Sequence, residues 1–160
     1  MEIDGPTVCE LIFDMDAFLS HTSDGPGKWL LDQRIQAIIS SMSVIVRFSI
    51  DYDGGRWVTR TAKTVRPWFV SEVLLKDEVA VELTDQRGKP ISKNVSVRYL
   101  LPTKPLLNHP AVIIDGVNMG DVGMVKSKQR ATKKFLITLR DSETSLYLPE
   151  EVLCRLKLVD

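Results

Sequence analysis

The stretch that most constrains this chain is Ala111 to Lys126, which reads Ala-Val-Ile-Ile-Asp-Gly-Val-Asn-Met-Gly-Asp-Val-Gly-Met-Val-Lys. Its first four residues are apolar and largely β-branched, and they predict a short strand. Asp115-Gly116 breaks that run. Gly120 to Val125 then turns the chain and begins a second strand. Glycines at such points let the backbone reach positive φ or pass close to a neighbour where a Cβ would clash.

The C-terminal residues continue the β pattern. Strand residues are expected at Val122–Ser127, Lys134–Leu139 and Leu146–Leu148, with a basic turn from Lys128 to Lys133. Pro149-Glu150-Glu151 reads as one helical turn, and Val152–Leu158 as a closing strand. Upstream, Trp29 to Lys104 reads as mostly β. Arg34–Ile39 is apolar-rich and reads as a strand, although Trp29–Ile39 could begin as helix. Val44–Ile50 alternates, with Val44, Val46, Phe48 and Ile50 on one face. Asp53-Gly54-Gly55 is a hairpin signal, and Trp57–Val65 alternates again. Pro67–Leu75 is irregular, with Trp68 and Phe69 expected to pack over an end of the fold. Glu78–Thr84 is a strand, Asp85–Gly88 a turn, and Val95–Leu101 a last strand before Pro102, Pro105 and Pro110.

The two halves echo one another. Val79–Asp85 resembles Phe135–Asp141, and Tyr99-Leu100-Leu101-Pro102 resembles Tyr147-Leu148-Pro149. Two copies of one small β unit, the first with an inserted hairpin near Val44–Gly55, describe the chain economically. Each unit is small enough to be marginal alone, so the two are expected to pack together.

The pattern of strand, Gly, polar turn, Gly-x-Val and strand resembles a KOW motif, clearest over Pro110 to Asp160. The motif residues are Gly116, Gly120, Gly123 and Val125. The resemblance implies an SH3-like barrel in which these residues are structural. The whole is similar to the C-terminal KOW region of the large subunit of the eukaryotic NusG-type elongation factor. That implies a nuclear, non-catalytic module that docks on RNA polymerase or another transcription protein, and on RNA or DNA backbone. The expected fold is all-β, with two tandem SH3-like barrels behind a short N-terminal amphipathic helix. Residues 1–27 would be acidic helix and linker, 28–105 a divergent barrel, and 106–160 the KOW-type barrel.

Charge sharpens the reading. The formal net charge is zero, yet residues 1–24 hold six acidic side chains (Glu2, Asp4, Glu10, Asp14, Asp16, Asp24) and no Lys or Arg. The remainder holds 21 basic against 15 acidic residues. The head can dock in cis on a basic surface or stay solvated. Thr7 and Glu10 have the spacing of a capping box. Val8, Leu11, Ile12, Met15, Phe18 and Leu19 fall on one helical face. Ser20–Lys28 is a linker by composition.

Basic residues mark the candidate binding surface. Lys126, Lys128, Arg130, Lys133 and Lys134 fall within nine residues with no acidic one among them. Such a turn seeks phosphates without reading bases; its plainer role is a solvated turn whose lysines discourage edge pairing. Arg56, Arg60 and Lys63 beside Trp57 form a second, weaker patch, and Trp57 is either a stacking surface or core. Peptide recognition along an aromatic groove is the alternative, as a chromatin-reader or other protein-interaction module.

Catalysis has little to stand on. Leu11–Asp16 resembles the first motif of haloacid dehalogenase-type phosphatases, with Asp14 as nucleophile and Asp16 as acid/base. That pattern continues with Gly-Thr, and here Ala17-Phe18 stand instead. No alternating βαβ series is evident. No phosphate-binding loop, dinucleotide fingerprint or metal-ligand spacing appears. No cofactor, metal or small-molecule substrate is expected. Apolar runs are too short to span a membrane, and no secretory leader opens the chain. Cys9 and Cys154 suggest no disulfide framework, and Cys154 reads as buried filler.

Overall fold

The fold is seen in a computed structural model that describes residues 25–65, 77–85 and 87–157. The expected N-terminal helix, its Asp14 and Asp16, and Trp68 and Phe69 lie outside the described residues. Within them the chain is mostly β, arranged as two five-stranded antiparallel sheets.

The first sheet contains β1 (Ile45–Phe48), β2 (Thr61–Thr64), β3 (Glu78–Thr84), β4 (Pro90–Ser96) and β5 (Leu100–Pro102). The second contains β6 (Pro110–Ile113), β7 (Val122–Lys128), β8 (Lys134–Leu139), β9 (Ser145–Pro149) and β10 (Leu153–Arg155). The spatial orders are β4-β3-β2-β1-β5 and β10-β6-β7-β8-β9. They are one topology, since in each the fifth strand returns to pair with the first. Each sheet also has a 3-10 turn between its fourth and fifth strands, Val97–Tyr99 and Glu150–Val152.

Several sequence expectations need correction. Arg34–Ile39 is not a strand: Gln33–Ile39 is a helix, α1. Asp32 decides this, because its carboxylate accepts the Arg34 backbone N–H at 2.8 Å and caps the helix. Ile35, Ile38 and Ile39 then recur at helical spacing, and Ile35 is fully buried. The linker expected through Lys28 gives way to a 3-10 helix at Gly25–Leu31 that buries Gly27 and Leu30. β1 is no inserted hairpin but the first strand of its sheet. It ends at Phe48, which leaves Ile50 69% exposed rather than inward. Asp53-Gly54-Gly55 does turn the chain, all three at positive φ. It does so inside a long connection, and the next strand begins at Thr61 rather than Trp57. Val95–Leu101 splits into the end of β4, a 3-10 turn and β5.

The second half matches its pattern closely, four of its strands lying within about one residue of expectation and the last, expected at Val152–Leu158, running only from Leu153 to Arg155. The echo of Val79–Asp85 with Phe135–Asp141 is real, since β3 and β8 are the third strands of their sheets. The echo of Tyr99 with Tyr147 is not, because Tyr99 ends a 3-10 turn and Tyr147 lies in a fourth strand.

The sheets share a core, and β6 shows how. All four of its residues are buried. Side chains alternate across a strand, so Val112 faces the core of the first sheet while Ala111 and Ile113 face that of the second. Ile114, just past the strand, falls on the first-sheet side. On β10, Leu153 joins the second core, and Cys154 and then Leu156 join the first. Backbone hydrogen bonds stitch the seam: Arg155 N–H to Thr103 O at 3.0 Å and Lys157 N–H to Ser43 O at 2.8 Å. The core thus runs across the boundary expected near residue 105.

Cys154 sits in this seam, and its Sγ–H donates to Ile45 O at 3.2 Å. Burial pushes its thiol up from 9.0 to about 12. The thiolate is the reactive form, so native protein at pH 8 is expected to resist iodoacetamide at Cys154 and to alkylate there once unfolded. Mass spectrometry of the Cys154 peptide checks this, and rapid native labelling would contradict the packing. The sign of the pH effect is fixed by the same shift. Between 9 and about 12 the unfolded thiol loses its proton while the folded one keeps it, so stability falls as pH rises through that window.

Candidate functional sites

β7 and β8 build the basic hairpin. Their register shifts between Val125 and Ser127, which makes Lys126 a bulge residue. β7 is mainly buried up to Val125, and its last three residues are exposed, so the hairpin tip projects beyond the core. The turn is well tied: Lys133 N–H donates to Gln129 O and Gln129 N–H to Lys134 O, both at 2.8 Å. Lys133 adopts φ 58°. Lys126, Lys128, Arg130, Lys133 and Lys134 are all exposed. None of the five forms an ion pair with a described residue. Lys128 has a ring contact, its Nζ lying 5.3 Å from the Phe135 ring centroid; this lets its aliphatic stem cover a buried side chain. A turn held by backbone hydrogen bonds and carrying five exposed cations is a rigid mount for positive charge.

The motif residues lie before and along β7, with Gly116 and Gly120 at the end of the strand opposite this hairpin. Gly116 and Gly120 have φ of 88° and 94°, and Val125 is fully buried. Gly120 lies against Arg34 of α1, and the Arg34 guanidinium also reaches Met119 Sδ at 3.2 Å. Gly123 lies against β8. Gly120, Gly123 and Val125 are packing positions, whereas Gly116 has open space around it and is set apart by its positive φ. Val117 is 97% exposed at the tip of the intervening loop.

The second basic patch differs from its sequence reading. Trp57 is only 5% exposed, and its Nε1–H donates to Asp53 Oδ2 at 3.0 Å. It is core, not a free stacking surface. Around its ring stand Arg56, Lys93 and Arg60, with charged atoms 4.9, 5.1 and 6.0 Å from the centroid. Arg60 is committed to Thr84 O through Nη1 at 2.6 Å. Lys63 leaves the patch and pairs with Glu82 at 3.3 Å. Lys93 comes from β4 and escapes sequence reasoning, because the pattern of that strand is weak and local spacing cannot bring it to Trp57. Arg56 and Lys93 stand within about 10 Å of each other, a repulsion of about 0.4–1.7 kcal/mol between effective dielectrics of 80 and 20.

A third feature is invisible in the sequence. A cleft of about 890 Å³ opens between the two sheets, with Trp29, Arg47, Thr103, Met119, Glu150 and Leu153 among its lining residues. Trp29 Nε1 and Thr103 Oγ1 are buried there without a hydrogen-bond partner among the described residues.

Little among the described residues points to catalysis. No group of three or more His, Cys, Asp and Glu among them is placed to hold a metal ion. His109 lies in the connector, its Nδ1 3.2 Å from Leu107 O. Both sheets are antiparallel, unlike the βαβ series of the phosphatase pattern. No described helix is long and apolar enough to cross a membrane. No family model matches the chain, and no curated protein matches it.

Proposed function

We propose that this chain is a non-catalytic nucleic-acid-contacting module, built of two SH3-like units of which the second is of the KOW kind. The observation that carries the reading is the hairpin Lys126–Lys134, with five exposed cations and no ion pair to a described residue. Support for the SH3-like assignment comes from the shared strand order, with the fifth strand beside the first, and from the 3-10 turn before that strand in both sheets. The hairpin contacts phosphates and reads no bases. By its resemblance to NusG-type elongation factors the module works in the nucleus, on RNA polymerase and the RNA or DNA near it. Fluorescence anisotropy with a short single-stranded RNA and a DNA duplex tests this. Binding that weakens steeply with salt is expected, and no binding to either at low salt overturns the reading.

One observation favours a second reading, a protein or peptide ligand in the cleft between the sheets. Buried polar groups without partners are uncommon in native proteins, and Trp29 and Thr103 supply two in one cleft. Both atoms are closed to solvent, so an extended segment whose carbonyls accept from the indole N–H and the hydroxyl must first open the cleft wall at Trp29. Trp29→Phe keeps an aromatic ring and removes the donor, so stability is expected to change by less than about 1 kcal/mol. Retention on purified RNA polymerase at high salt should then drop severalfold. Equal retention of both proteins removes the cleft from the account.

A further inference from the structure

Folding gathers charge around Trp57 that neither the hairpin nor the cleft between the sheets explains. A second cleft, of about 350 Å³, is lined by Arg56, Trp57, Asp85, Arg87, Ile91 and Lys93. Its three cations come from three separate places: the β1–β2 connection, the β3–β4 turn and β4 itself. None of the three forms an ion pair with a described residue. The two nearby carboxylates are already engaged. Asp53 accepts the Trp57 indole N–H at 3.0 Å. Asp85 Oδ1 accepts the backbone N–H groups of Arg87 and Lys89, each at 2.8 Å, and so holds its own turn. Cation–π attraction to one indole accounts for a cation over the ring. It does not account for Arg87, nor for three cations set against one lining carboxylate, Asp85.

We propose that this cleft binds a phosphodiester group of a nucleic-acid strand, with Arg56, Arg87 and Lys93 as the phosphate ligands and Ile91 against the adjoining sugar. A guanidinium offers a planar pair of donors to phosphate oxygens, and a lysine adds a point charge. The volume suits a nucleotide rather than a lone ion. An anion here relieves the repulsion between Arg56 and Lys93. The inference rests on the nucleic-acid reading and adds a second contact to it, on the other sheet from the hairpin.

The test is NMR titration of the full chain with octauridylate, and separately with inorganic phosphate, following the Trp57 indole and the Arg56 and Arg87 Nε–H signals. Saturable shifts with octauridylate are expected. Arg87→Gln/Lys93→Gln should weaken them at least fivefold; Arg56→Gln serves as a second variant should the first lose its native spectrum. Shifts confined to Lys126–Lys134 overturn this site and leave the hairpin reading standing. No shift anywhere, with octauridylate or with a DNA duplex titrated in the same way, overturns both. Movement with inorganic phosphate but not with octauridylate makes this a free-phosphate site and overturns the phosphodiester assignment. Unchanged affinity in the double variant also overturns it.

Discussion

With Lys126, Lys128, Arg130, Lys133 and Lys134 all changed to glutamine, the protein is expected to lose about a hundredfold in RNA affinity at low salt and to keep its fold. The first half of that expectation is electrostatic. Each cation that neutralises a phosphate releases a condensed counterion, with a contribution of about 0.7 to the salt exponent for single strands. Five such contacts contribute roughly −3.5 to the exponent, enough by themselves to weaken wild-type binding about a hundredfold between about 50 and 200 mM salt. The second half rests on exposure. All five side chains are exposed, and glutamine keeps much of the stem that covers surface. Lys128 has a further contact, with the Phe135 ring, worth about 1 kcal/mol or less at an exposed site. Anisotropy titrations beside urea unfolding curves separate the two effects. A variant that binds as before removes the hairpin from the proposed function, and one that unfolds shows that the cations serve the fold.

Gly123→Ala is expected to destabilise the fold by about 3 kcal/mol, near the upper end of ordinary overpacking. A Cβ at Gly123 would lie 2.5 Å from Ile137 Cγ2 and 2.7 Å from Thr138 O. The first neighbour is a fully buried side chain, and the second is backbone of the paired strand. Gly123 stands opposite Leu139 in that register, so neither neighbour can withdraw without parting β7 from β8. The melting temperature should fall by roughly 10 °C for a chain of this size. A change below about 0.5 kcal/mol would show that β7 and β8 do not pack as described. The basic hairpin is the outer end of this same strand pair, so RNA binding should weaken along with stability. That coupling distinguishes a glycine that holds the site in place from one that touches the ligand.

The second sheet is more legible in the sequence than the first, and the reasons are local. In β8, Phe135, Ile137 and Leu139 alternate inward without interruption, and glycine or charged turns bound the neighbouring strands. Period and punctuation therefore agree. In the first sheet they conflict. Ile35, Ile38 and Ile39 read as an apolar run until the Asp32 cap selects helix. Ser92, Lys93 and Asn94 are poor strand formers, and they take β geometry only because β3 pairs with β4 along its whole length. The Trp57–Val65 alternation misleads because Trp57 is buried by a turn, not by a strand.

Of the candidate sites, the hairpin is legible because its charges are contiguous and its turn is short. The convergence of Arg56, Arg87 and Lys93 is not, since tertiary pairing alone brings these segments together. Nor is the cleft between the sheets, whose lining comes from segments as far apart as Trp29, Arg47, Thr103 and Leu153. The shared core is hidden for a related reason. The continuous apolar run Ala111–Ile114 says that both faces of β6 are buried, but not that each face belongs to a different core.

The most direct measurement is the slope of log affinity against log salt for single-stranded RNA, taken for the wild type and for the variant with five glutamines in the hairpin. A variant slope shallower than the wild-type slope by roughly 3.5 is expected, which is the share of the five hairpin cations. Equal slopes in the two proteins would contradict it, because the phosphates would then be neutralised elsewhere on the surface.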